Sequence, residues 1–385
     1  MTAAQIGLPR RLAVGGGALA DTGRLVRDLG YSRPVVVTDA FLQRQGTADR
    51  LVAALTEAGC TVAVFDGTVP DPTTDSLVPG LDVVRGHDAD CVIGLGGGSP
   101  LDTAKALAVL AAGGGTMRDY KAPTVTTGPA LPVIAVPTTA GSGSEATQFS
   151  IITDSASDEK MLCPGPAFLP VAAVVDYELT LSMPARLTAD TGVDALTHAI
   201  EAYVSRKANP FADGFALTAI RTISATLRRV YADGADRAAR EAMMLAATQA
   251  GVAFSNSSVA LVHGMSRPIG AHFHVAHGLS NAMLLPAVMQ FSVDSAPARY
   301  ADCARAYGLS GDSDAALAQG LVTAIEQLCV DLAVPTPSAY GIDRARWDEL
   351  SPLMAEQALA SGSPGNNPRV PDAAEIVELY AEVYG

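Results

Sequence analysis

Asp194 and His198 stand four residues apart in the segment Asp190-Thr-Gly-Val-Asp-Ala-Leu-Thr-His-Ala-Ile-Glu201. On a helix this spacing puts both side chains on one face, one turn apart, as a two-pronged grip on a metal ion. The neighbouring residues are largely apolar, and a carboxylate buried beside an imidazole is costly unless something satisfies both. A plain Asp–His hydrogen bond is the competing structural reading. His263 and His277 bracket a second segment, Gly264–Ala276, and would complete a set of three imidazoles and one carboxylate. Such a set suits Zn(II) or Fe(II) with positions left open for a substrate oxygen. His272 and His274 flank Phe273 and have the same chemistry, so spacing alone leaves the choice among the five C-terminal histidines open.

A second kind of chemistry resides in Cys91-Val-Ile-Gly-Leu-Gly-Gly-Gly-Ser-Pro-Leu-Asp-Thr-Ala-Lys105, which reads as a strand running through a glycine cluster into a helix. Ser99 is placed to cap that helix, Pro100 suits its first position, and Asp102 would complete a capping box. Without side chains at Gly96, Gly97 and Gly98, a phosphate could reach the helix's unpaired amides and the positive end of its dipole. A tight strand-to-helix turn needing glycine only for packing is the alternative. Val136-Pro-Thr-Thr-Ala-Gly-Ser-Gly-Ser-Glu145 adds a hydroxyl-rich turn, expected to be mobile, with Thr138, Thr139, Ser142 and Ser144. Two such loops at successive strand ends favour an extended nucleotide across the carboxyl edge of a sheet. Asp39, closing an earlier strand, could accept hydrogen bonds from ribose hydroxyls and would repel a 2'-phosphate, favouring NAD over NADP; otherwise it caps a helix.

The elements that must position these residues fall into two groups. Segments 34–39, 60–65, 91–95 and 133–136 are short, β-branched, continuously apolar runs, as in a parallel sheet covered on both faces. From about residue 187 the period becomes helical, over 189–206, 211–231, 236–254 and 312–333. The segment 174–184, ending in Pro184, marks the crossover, and 361–368 reads as a polar loop before a last helix. The expected division is an α/β dinucleotide-binding domain over 1–184 and an all-helical metal-binding and substrate domain over 185–385.

The 385 residues agree with two domains at about 150 residues each. A net charge of -14, from 26 Lys+Arg and 40 Asp+Glu, repels phosphate backbones and anionic lipids, so neither nucleic acid nor a membrane is expected as a partner. No apolar run is long enough to span a bilayer, and the N-terminal stretch lacks the order of a signal peptide. Five scattered cysteines, none in a C-x-x-C pair, suit reduced thiols, and the expected location is the cytoplasm.

Taken together, Gly96–Lys105, Pro137–Glu145, Asp194–Tyr203 and His263–Ala282 resemble, in order, the motifs of the iron-containing (group III) alcohol dehydrogenases, a family that includes lactaldehyde reductases, 1,3-propanediol dehydrogenases and maleylacetate reductases. The resemblance spans essentially the whole chain and implies a parallel-sheet NAD domain, an all-α metal domain of the dehydroquinate-synthase-like architecture, and a metal in the cleft between them. It implies Asp194, His198, His263 and His277 as ligands of Fe(II), with Zn(II) as the alternative. It further implies Asp39, Asp71, Gly97, Gly98, Ser99, Asp102, Thr138, Thr139, Ser142 and Lys160 around NAD(H), and Phe149 and Phe254 on the substrate wall. The implied reaction interconverts a primary alcohol or diol with its aldehyde, with maleylacetate-reductase-like or glycerol-dehydrogenase-like activity as the alternative within the fold. A dehydroquinate-synthase-like elimination is disfavoured because the helical half lacks an evident Lys/Arg-rich substrate site. His277, Arg267 and His274 are the residues expected to take part in catalysis. Arg267 stands where many relatives carry a histidine, and a guanidinium cannot shuttle protons near neutral pH. It could orient a polar or anionic substrate tail or pair with a nearby carboxylate, leaving proton transfer to a cofactor hydroxyl and water, or to His272 or His274. Ala276 replaces a frequent proline before the last ligand. A homodimer is the default assembly.

Overall fold

The computed structural model describes residues 4–385, so the first three residues of the N-terminal stretch read above for a signal peptide lie outside the described residues. The chain divides into two compact units, 6–182 and 183–385, the latter joined by Ala4 and Gln5.

The first unit is built on eight strands: β1 (Arg11–Val14), β2 (Pro34–Val37), β3 (Ala63–Phe65), β4 (Cys91–Gly96), β5 (Val133–Pro137), β6 (Phe149–Asp154), β7 (Glu159–Pro164) and β8 (Ala172–Val175). Six of them form one parallel sheet in the order β1-β8-β5-β4-β2-β3, and β6 and β7 pair as an antiparallel hairpin. Five helices accompany them: α1 (Thr22–Asp28), α2 (Ala40–Arg44), α3 (Thr47–Glu57), α4 (Leu77–Gly86) and α5 (Gly98–Gly113). The apolar runs expected of a doubly covered sheet sort by alternation. Val35, Val37, Val92 and Val133 enter one core, while Val36, Ile93, Leu95, Ile134 and Val136 enter the other. Strand order reverses between β2 and β4, and both Asp39 and the glycine turn follow the carboxyl ends of these strands. Open parallel sheets bind ligands at such a reversal.

Several sequence expectations need correction here. Strand 60–65 is shorter than expected, because only Ala63–Phe65 pairs with β2. Val174 and Val175 belong to β8, inside the sheet, so the crossover begins only after them; the alanines of β8 give it weak strand character of its own. The polar stretch 361–368 is a connection with a single 3-10 turn, and it packs inward. Ser363, Asn366 and Asn367 are buried, and Asn366 Nδ2 donates to Ser258 Oγ at 2.8 Å.

The second unit consists of α6 (Ala185–Val204), α7 (Pro210–Ala232), α8 (Arg237–Ser255), α9 (Leu261–Phe273), α10 (His277–Ser292), α11 (Pro297–Tyr307), α12 (Asp314–Asp331), α13 (Pro337–Tyr340), α14 (Arg344–Ala360) and α15 (Ala373–Val383). It contains no strand among the described residues. α6 is buried nearly all round, the signature of a central helix. Gly278 permits a close approach to it: a Cβ there would lie 2.5 Å from the Asp190 carbonyl oxygen, so only glycine lets α10 begin against α6. None of the described helices is long and apolar enough to cross a membrane.

Candidate metal centre

α6 carries Asp194, His198 and Glu201 at successive turns of one stripe, α9 carries His263 in its first turn, and α10 begins at His277. Packing of these three helices brings Asp194, His198, His263 and His277 together, each offering one ligand atom within 4.8 Å of the others. Asp194 Oδ1 lies 3.6 Å from His263 Nε2 and 3.9 Å from His277 Nε2. Three of the four residues are buried, whereas the His277 side chain is 42% exposed. The His198 ring stacks between its neighbours, 4.2 Å from Phe254 and 4.4 Å from His263 between centroids.

Two further residues hold this cluster in place. Glu201 Oε2 accepts a hydrogen bond from His263 Nδ1 at 2.6 Å, and its Oε1 accepts from the Val262 amide at 2.7 Å. With the proton on Nδ1, the Nε2 lone pair of His263 faces Asp194 and is available to a cation. Asn281 Nδ2 donates to Asp194 Oδ1 at 2.6 Å and lies 3.1 Å from His263 Nε2. Sequence reasoning assigned neither residue a role. Glu201 was detectable as a third polar group on the Asp194–His198 stripe, and Asn281 as the polar residue one helical turn after His277.

The field of the cluster favours positive charge. Burial alone would raise the Asp194 carboxyl, but the neighbouring imidazoles of His198, His263 and His277 hold it well below the usual carboxylate range. Burial alone would lower His263, yet Glu201 and Asp194 together push it up. A set of three imidazoles and one carboxylate, buried save for His277 and with the His263 tautomer fixed from behind, fits a divalent cation of the Fe(II) or Zn(II) kind.

The other predicted residues are distributed differently. His272 Nε2 lies 2.9 Å from Gln357 Oε1, and His274 is exposed in a left-handed conformation that ends α9; neither joins the four-donor cluster. Arg267, one turn after His263, donates from Nη1 to Ser363 Oγ at 2.9 Å. It forms no ion pair with a carboxylate among the described residues, so the expected pairing is replaced by this neutral hydrogen bond. Burial pushes its guanidinium down to about 10 against the pull of Glu201.

In the first unit, Gly97 is the N-cap of α5 in an extended conformation and makes no side-chain cap. The predicted capping box is therefore absent: Ser99 and Pro100 lie inside the first turn, and Asp102 is turned away to accept from Ser144 Oγ at 3.0 Å and the Ile151 amide at 3.0 Å. A glycine cap leaves the helix's leading amides uncovered, as an anion requires. The glycine turn faces the second loop closely, since Cβ atoms built on Gly97 and Gly98 would lie 3.4 Å from Thr139 and 3.7 Å from Ser142. That loop is packed rather than loosely held: Thr138 and Ser144 are buried. Asp39 caps α2, its Oδ1 accepting from the Phe41 and Leu42 amides at 2.9 Å, which is the structural role weighed against ribose binding. Asp71 adopts a left-handed φ of 48° and pairs with Lys160 at 2.8 Å. Phe149 begins β6, half-buried.

Comparison with known proteins extends this geometry. Residues 9–177 match the family model for iron-containing alcohol dehydrogenase, and residues 188–384 match the C-terminal model of the Fe-containing alcohol dehydrogenase family. The chain is 37% identical to an NAD-dependent methanol dehydrogenase from Bacillus methanolicus, over 97% of each chain. It is 36% identical to a 1,3-propanediol dehydrogenase from Citrobacter freundii, over 96% of each. The crystal structure of a 1,3-propanediol oxidoreductase superposes with a TM-score of 0.95 at 35% identity, covering 99% of this chain and 100% of that one.

Proposed function

The chain belongs to the iron-containing alcohol dehydrogenase family, and from that premise we propose that Asp194, His198, His263 and His277 hold the divalent cation of an NAD(H)-dependent enzyme interconverting a primary alcohol or diol with its aldehyde. The observation that carries the assignment is the convergence of these four donor atoms within 4.8 Å from three helices. A bound cation supplies Lewis acidity to the substrate oxygen and NAD(H) supplies or accepts the hydride. The protein's own part is placement. Glu201 holds His263 with Nε2 inward, Asn281 holds Asp194, and Phe254 fixes the plane of the His198 ring. His277, the exposed member, leaves the site open toward substrate.

In the same reading the unit 6–182 binds the dinucleotide and 183–385 carries metal and substrate. The uncovered amides of Gly98 and Ser99, the hydroxyls of Thr138, Thr139 and Ser142, Asp39 at the strand reversal and the Asp71–Lys160 pair are assigned to NAD(H). Asp102 is assigned to the loop behind the cofactor, its oxygens being bonded there. Phe149 is retained as a substrate-wall residue, Arg267 as a contact to the substrate tail, and His274 as a proton acceptor at the surface. Fe(II) is the proposed metal; Zn(II) is the competitor that such N/O ligands bind more tightly by intrinsic affinity. Five buried, unpaired cysteines support a reducing compartment, the cytoplasm. The open edge of β1, with Leu12 and Val14 exposed, is compatible with a homodimer, which light scattering would check.

The deciding experiment is anaerobic titration of metal-stripped protein with Fe(II) and Zn(II), wild type beside His277→Ala. One ion per chain, bound at least about tenfold more weakly by the variant, is the expected result. Equal binding by both, or none by either, would remove the metal assignment.

A further inference from the structure

Lys105, in the second turn of α5, is 0% exposed and bears the only ammonium among the fully buried polar residues of the first unit. Its Nζ donates toward five protein oxygens: the Ser144 carbonyl at 2.7 Å, Ser144 Oγ at 2.8 Å, the Thr147 carbonyl and Oγ1 at 3.1 Å, and the Phe149 carbonyl at 2.9 Å. One turn earlier on the same helix, Asp102 accepts from Ser144 Oγ and the Ile151 amide, and its carbonyl accepts from Ser150 Oγ at 3.1 Å. Two residues of α5 therefore grip the whole stretch from Ser144 to Ile151. An ammonium is expensive to bury, and burial pushes Lys105 down to about 8 against the pull of Asp102 and Glu145. An apolar side chain of the same length would fill the space without that cost. What lysine adds is the inward pull on three backbone carbonyls, which fixes the course of the loop that leads out of β5.

We infer that Lys105 is a positioning residue for the nicotinamide half of the cofactor. One helix then sets two parts of the dinucleotide: the first turn of α5 holds the diphosphate by its amides, and Lys105 holds the hydroxyl-bearing loop at the distance the nicotinamide requires. This rests on the assignment of the glycine turn and the 138–144 loop to NAD(H).

The test compares two ligands on full-length, metal-loaded protein: NADH, which spans both features, and ADP, which carries only the adenosine diphosphate end. Lys105→Met is expected to weaken NADH about tenfold, the loss of a charge-assisted hydrogen-bond set, while leaving ADP unchanged. Val109→Ala, a fully buried apolar position on the same helix, should weaken neither, separating loop positioning from general loss of stability. Should Lys105→Met fail to fold, Ser144→Ala and Thr147→Val each delete one hydroxyl partner and must show the same selective loss of NADH. Equal loss of both ligands, or unchanged NADH affinity, overturns the role of Lys105. Wild-type protein that binds neither ligand would instead withdraw the dinucleotide assignment, and this inference with it.

Discussion

Glu201 and His263 are joined by a 2.6 Å hydrogen bond between two side chains that are each only 4% exposed. The carboxylate can only accept there, so the pair fixes both the tautomer and the orientation of the imidazole. Glu201→Gln retains the shape but has a single acceptor oxygen for the two donors, Val262 N–H and His263 Nδ1–H, and loses the charge that favours a cation in the cluster. Metal affinity should fall about tenfold or more in anaerobic titration with all four ligands intact. Unchanged affinity would show that Glu201 serves only the fold.

Asn281 ties Asp194 to α10 across 87 residues of sequence. Asn281→Ala frees the carboxylate to rotate and should also weaken metal binding about tenfold, whereas Asn281→Ser, which keeps a short donor, should recover part of the loss. Equal affinities in both variants would contradict the positioning role.

Gly278→Ala places a methyl group 2.5 Å from the Asp190 carbonyl oxygen, a contact that backbone cannot relieve without moving α10. The expected result is destabilisation by about 1–3 kcal/mol in denaturant melts together with weakened metal binding, because His277 moves with the helix. Loss of stability without any change in metal affinity would mean that His277 does not depend on this contact.

Arg267 has one hydrogen bond, to Ser363, and no carboxylate partner in ion-pair contact among the described residues. If its remaining donors meet the substrate, Arg267→Ala should lower kcat/KM for aldehydes with an anionic tail by about tenfold while sparing neutral aldehydes. An equal effect on both classes would reassign Arg267 to local structure.

Burial pushes the thiols of Cys163 and Cys329 up to about 12, from the ordinary 9.0. Above pH 9 the unfolded chain releases these protons while the folded chain keeps them. Stability is therefore unaffected by these groups below that pH, and falls above it by about 1.4 kcal/mol per pH unit for each thiol. Guanidinium melts at about pH 8, 9 and 10 should show the decline, and a Cys163→Ala, Cys329→Ala double variant should show a shallower one. Parallel declines would place the alkaline sensitivity elsewhere.

Local pattern sufficed for much of the architecture. The runs Pro34–Val37, Cys91–Leu95 and Val133–Val136 are apolar at every position, and a strand with that pattern must be covered on both faces. The glycine cluster after β4 and the four-residue step from Asp194 to His198 were legible because a turn and a helical face depend on neighbouring residues alone. The strands β1 and β8 are four-residue, partly alanine segments that gain strand character from their partners, whereas β6 and β7, six residues each, form a half-buried hairpin without the continuous apolar run that marks the parallel sheet.

The start of α5 was misread for a related reason. Ser99 and Asp102 have the spacing of a capping box, but Ser144 and Ile151, more than 40 residues away, claim the carboxylate. The centre itself shows the same division. Residue types offered five C-terminal histidines, and resemblance to a family singled out three, yet the convergence of those three with Asp194 arises from the packing of α6, α9 and α10. Glu201 meets His263 across 62 residues, and Lys105 meets Phe149 across 44. Periodicity is set by the backbone geometry of adjacent residues and can be read along the chain, whereas the identity of a buried polar group's partner is settled only when distant elements pack together.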